Sequence, residues 1–131
     1  MAIAALALAS GVADATAGTK VLVGTKVSII NVASDPQQAY VLGTLGSSKP
    51  QCVGGREIRV TLVPVKGKPV PFDVARASDP GGGWLAVAAT APLIDKGPFE
   101  KAVAKAPAKT IKVGKKQIVC KAAKASFITA E

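Results

Sequence analysis

From Arg56 to Val65 the chain alternates, with Ile58, Val60 and Leu62 on one side and Glu57, Arg59 and Thr61 on the other. A period of two belongs to a strand with one dry face and one wet face. Lys66-Gly67-Lys68 reads as the following turn, and Val70, Phe72 and Val74 alternate on the way back. Upstream, Thr25 to Ile30 is β-branched and partly alternating, and Tyr40 to Leu45 is extended again. Between them Asn31 to Gln38 is polar and carries the turn signal Asp35-Pro36; Gly46 to Pro50 breaks the second run. Asp79-Pro80-Gly81-Gly82-Gly83 is a loop, because glycine reaches backbone angles that other residues avoid. Trp84 to Ala89 is apolar on both faces, as in an interior strand.

The last third is less uniform. In Phe99 to Lys105 the apolar residues Phe99 and Val103 stand four apart after Pro98, and this local signal leans to helix. Ile111 and Val113, then Ile118 and Val119, flank Gly114-Lys115-Lys116 as a hairpin, and Ser126 to Ala130 forms a last short strand. Short strands separated by turns at roughly ten-residue spacing predict an antiparallel sandwich or barrel. One domain is the natural reading of 131 residues, with no internal repeat or Pro-rich linker.

The N-terminal run MAIAALALASGV, Met1 to Val12, is apolar and uncharged but too short to span a bilayer, which takes about 20 residues. Ala13-Asp14-Ala15 and Ala15-Thr16-Ala17 both fit the small-x-small pattern of signal-peptidase sites. Residues 1–17 are therefore read as the h-region and cleavage site of a secretory signal, and residues 18–131 as the mature domain. The competing reading is a short apolar element of the fold itself.

Composition changes the picture in two ways. Apolar residues make up 49% but aromatic residues only 4%, which predicts a thin core of small side chains. The net charge is +9, and from Lys96 to Lys124 nine lysines face one acid, Glu100. Such a field attracts polyanions. Lys112, Lys115, Lys116, Lys121 and Lys124 are the candidate anion-binding residues; the other reading is a solvated sheet face whose outward positions are lysine.

Cys52 and Cys120 are too far apart for Cys-x-x-Cys chemistry, and two cysteines without a histidine do not complete a usual zinc site. With export, the even count favours a disulfide, worth about 4 kcal/mol in the chain-entropy picture. The alternatives are two buried thiols, or a thiolate activated by Lys115, Lys116 and Lys121.

Three stretches together resemble a known family. GTLGSSKPQCVGGREIRVTLVPV is similar to an early strand pair of transthyretin-like domains, also called prealbumin-like or carboxypeptidase regulatory-like, which recur in secreted bacterial proteins. ASDPGGGWLAVAA resembles their Asp-x-x-Gly-x-Trp turn, although one glycine is more typical there. IKVGKKQIVCKAAKASFITA resembles their closing hairpin. The resemblance spans about Thr25 to Ala130 and implies an all-β antiparallel sandwich of about seven strands. It also implies a Cys52–Cys120 pairing and a strand, not a helix, at residues 99–105.

Little in the sequence invites catalysis. There is no histidine, the commonest general base and metal ligand near neutrality. The ureide-hydrolase branch of transthyretin-like folds uses histidines and a C-terminal Tyr-Arg-Gly-Ser, and this chain keeps neither. Glu57 and Asp73 show no interval suited to glycoside hydrolysis, Asp79 lacks the alternating ligands of a calcium loop, and no Gly-Lys-Ser/Thr follows the glycines. No enzyme, cofactor or metal is expected. The expected role is that of a secreted structural, adhesive or accessory binding module with a protein or envelope-polymer partner. The alternative is an electrostatic binder of polyanions; nucleic acid fits less well, because stacking aromatics are scarce in the basic third. Self-association through edge strands is a further expectation.

Overall fold

The computed structural model describes residues 19–129, so the segment read as a signal remnant lies outside the described residues. In chain order the elements are β1 (Thr19–Val23), β2 (Thr25–Ser34), β3 (Gln38–Ser47), a 3-10 turn (Pro50–Cys52), β4 (Glu57–Pro64), β5 (Val70–Arg76), β6 (Gly83–Ala89), a one-turn helix α1 (Ala91–Ile94), β7 (Phe99–Ala106), β8 (Lys109–Val113), β9 (Lys116–Cys120) and β10 (Ala123–Ile128). Among the described residues no helix is long and apolar enough to cross a membrane.

The described strands form three sheets, ordered β10-β7-β4-β5, β2-β3-β6 and β1-β9-β8. The first two face one another and supply the seven strands of an antiparallel sandwich. Ile58, Val60, Leu62, Phe72, Ala102 and Ala104 from one sheet meet Val27, Val41, Leu45, Trp84 and Ala86 from the other. At one open side Asp73 of β5 accepts a 2.9 Å hydrogen bond from the Val87 N–H of β6, so a side chain links the two sheets where no ladder does. The third sheet, in which β9 runs parallel to β1 and antiparallel to β8, was not foreseen from the sequence.

The strongest alternation, Ile58 to Leu62, is buried as its period requires. Elsewhere bulges override the pattern. The pairing of β4 with β5 shifts at Val60/Thr61, and Val74 turns outward to 53% exposure while Ala75 takes the inward place. The polar run from Asn31 does not end the second strand. A bulge after Ile29 leaves Ile30 exposed and returns Val32 to the core side, and β2 continues to Ser34. There Asp35 makes the turn by accepting the Gln37 and Gln38 N–H groups at 2.8 and 2.7 Å. The Gln38 and Gln37 bonds hold its pKa below the ordinary aspartate value.

One other expectation is corrected, and one local signal is overridden. Trp84 to Ala89 is an edge strand of its sheet, not an interior one, and Leu85 on its outer side is 53% exposed. The local helical signal at Phe99 to Lys105 yields to a central strand: β7 is paired on both sides, and its alanines 102, 104 and 106 are fully buried. Sheet pairing decides the state there, as the family resemblance implies. Gly82 adopts φ +80° and packs so closely on Leu45 that a Cβ would collide with its carbonyl, which fixes the glycine-rich loop against β3.

Cys52 and Cys120 form a disulfide, with Cα atoms 5.5 Å apart and both residues fully buried. With Val23 and Ile118 they make a second, smaller core that ties the third sheet to the sandwich. The bond closes a separation of 68 residues, which restricts the unfolded chain severely. Replacing both cysteines by alanine is expected to lower stability by about 2–5 kcal/mol. Urea unfolding of the two proteins measures this, and a loss below about 1 kcal/mol would show that the staple contributes little.

Candidate functional site

The five lysines singled out from the sequence do not converge. Lys112 sits on β8 and shares with Lys20 the outer face of the third sheet, both opposite Gln117. Lys115 follows Gly114 at the tip of the β8–β9 turn, and Lys116 lies on the other face, level with Val113 and Thr19. Lys121 is in the link between β9 and β10, and Lys124 is on β10. All five are exposed. Strand alternation thus scatters charges that stand close in sequence.

Sheet register gathers others instead. Lys124 pairs directly with Lys105, and Lys105 pairs directly with Arg59. Three cations therefore stand level on neighbouring strands β10, β7 and β4, on the outer face of the four-stranded sheet. Beside them is an open concavity of about 460 Å³, with Ala106, Pro107, Ala122 and Ala123 as its small-residue lining. Glu57 forms an ion pair with the Arg59 Nε; it is the one such pair among the described residues. Lys105 and Arg59 were missed as site residues, although their outward parity was visible; what joins them is register, which local sequence does not encode.

Inside the fold a different arginine dominates. Arg56 is 1% exposed and has no carboxylate partner among the described residues. Its Nη1 donates to Cys52 O at 2.9 Å and to Thr25 Oγ1 at 3.1 Å. Its Nη2 donates to Lys121 O at 2.9 Å and to Pro107 O at 3.0 Å, and Nε also donates to Pro107 O at 3.3 Å. Desolvation lowers its pKa from the ordinary arginine value. The signal for this burial was present: Arg56 shares the inward parity of Ile58, Val60 and Leu62.

The acidic residues considered for chemistry have structural positions. Glu57 holds Arg59, Asp73 holds the Val87 N–H, and Asp79 packs so tightly on Gly54 that a Cβ there would lie 2.7 Å from its side chain. Among the described residues no three His, Cys, Asp or Glu side chains gather into a metal-holding group.

Because Arg56 serves four separate segments, its removal takes the donor away from the buried Cys52 carbonyl and the part-buried Pro107 and Lys121 carbonyls at once. Arg56→Met, similar in length, is expected to cost about 2–4 kcal/mol in chemical denaturation. Arg59→Met on the surface should stay within about 0.5 kcal/mol. A neutral or stabilising Arg56→Met would mean that the cost of burying the cation exceeds the value of its hydrogen bonds. The chain matches no protein-family model, no curated protein and no solved structure, so its function is read from the placement of these side chains.

Proposed function

We propose that the chain is an exported β-sandwich module of transthyretin-like type. On this reading it acts at the cell exterior in a structural, adhesive or accessory binding role rather than by catalysis. The observation that carries this reading is the fully buried Cys52–Cys120 bond. Structural disulfides persist in oxidising compartments and are rare where thiols are kept reduced. The apolar N-terminal run and the order of the family-like stretches support the same reading. Trapping thiols in fractionated cells of the native host tests it: the protein is expected in the exported fraction with both cysteines blocked to alkylation. Two alkylated cysteines on protein retained in the cytosol would overturn it.

A second reading is an electrostatic binder of polyanions, favoured by the excess of lysine in the last third and by the level pairing of Lys124 with Lys105. Salt elution from immobilised heparin and from duplex DNA tests this reading. Retention above physiological salt, with a steep fall in affinity as salt rises, is the expected result. Elution from both below physiological salt would leave the lysines as a solvated face.

A further inference from the structure

We propose that Arg59, Lys105 and Lys124 form one site for the sulfate or phosphate ester groups of a linear acidic polysaccharide. The proposal rests on the polyanion reading and replaces a diffuse basic third with a defined place on the sandwich.

Neighbouring strands lie about 4.8 Å apart, so three cations level on β10, β7 and β4 make a row about 10 Å long. Like charges directly opposite one another across strands repel and destabilise the sheet. Lys105 faces a cation on both sides; Glu57 pairs with Arg59, and among the described residues no acid pairs with Lys105 or Lys124. A bound oxyanion is the group that turns this repulsion into attraction.

Glu57 engages the Arg59 Nε and so orients the guanidinium, while the terminal nitrogens remain to fork onto an ester's oxygens. The concavity beside the row is lined by Ala106 and Pro107 from one segment and by Ala122 and Ala123 from another. Arg56 binds the carbonyls of Pro107 and Lys121 from beneath, so both walls are held before any ligand arrives.

The row is shallow and open, and it suits a chain laid across the strands that carries more than one charge. Lys101, at the next-but-one outward position of β7, extends the basic strip along the strand. The outward positions of β4, β7 and β10 around the row carry no aromatic residue on which a base could stack, which favours a glycan over single-stranded nucleic acid.

Titrations of heparin oligosaccharide, duplex DNA and inorganic phosphate into three proteins test the site. The proteins are the unaltered chain, R59Q/K105Q/K124Q, and the control K112Q/K115Q/K116Q. For heparin the site variant is expected to lose about 10–100-fold in affinity with a shallower salt dependence, and the control to stay within about 3-fold. K105Q alone is expected to raise Tm by roughly 1–3 °C, since it relieves two like-charge contacts; this keeps lost binding distinct from lost folding. Equal losses in the site and control variants would overturn the site and leave the diffuse polyanion reading standing. No binding of any probe by the unaltered chain would overturn both. Tighter binding of DNA than of heparin would overturn the glycan assignment, and phosphate binding as tight as heparin would overturn the polymer.

Discussion

The fold depends on a buried cation whose solvent is the backbone. Arg56 has left water almost entirely, and its charge is met by three carbonyl groups and one hydroxyl rather than by a carboxylate. Burial of an ion is costly unless such donors and acceptors are complete. The acceptors come from the start of β2, the 3-10 turn, the exit of β7 and the link between β9 and β10. Arg56 is therefore satisfied only when all four segments have arrived. The Cys52–Cys120 bond spans the same junction covalently, and Cys52 contributes both its sulfur and a carbonyl to it. Cross-link and cation thus act on one place, where the third sheet joins the sandwich.

Elsewhere the core is thin, as the scarcity of aromatic residues requires. Alanines 102, 104 and 106 line the inward side of β7, and Phe72 and Trp84 are the only aromatic rings buried in the main core among the described residues. The largest inward ring, Trp84, lies against Gly43 on the neighbouring strand, where a Cβ would strike both the ring and the Ser28 carbonyl. Here a glycine in a strand interior makes room for an aromatic ring, which offsets part of its entropic cost. A core with so few large side chains has little stability in reserve, so a single well-coordinated junction matters more than it would in a thicker domain.

Much of this was legible where period and chemistry agree. Ile58, Val60 and Leu62 gave their strand, Gly114-Lys115 gave its hairpin, and the two cysteines gave their bond. Arg56 was legible in parity but hidden by its charge, because a reader places arginine outside unless a partner is visible, and its partners are main-chain oxygens that carry no sequence signature. Val74 and Ile30 were misplaced or overlooked by the same mechanism: one bulge reverses every later inward position, and nothing local announces it. The third sheet was illegible for a different reason. Its first strand precedes the sandwich and its other two come near the end, so the parallel pairing of β1 with β9 is a long-range choice.

The basic surface shows how far charge in sequence and charge in space diverge. Lys112, Lys115 and Lys116 are near neighbours along the chain, yet the hairpin sends them to one face, a turn tip and the opposite face. Arg59, Lys105 and Lys124 come from well-separated parts of the chain, and the ladder sets them level. That row also adjoins the buried junction: Pro107, which lines the concavity, is held from inside by the same guanidinium that holds Cys52. Stability and surface geometry are therefore coupled through Arg56. A disturbance of the inner junction would move the walls of the outer concavity even where every exposed cation remained in place.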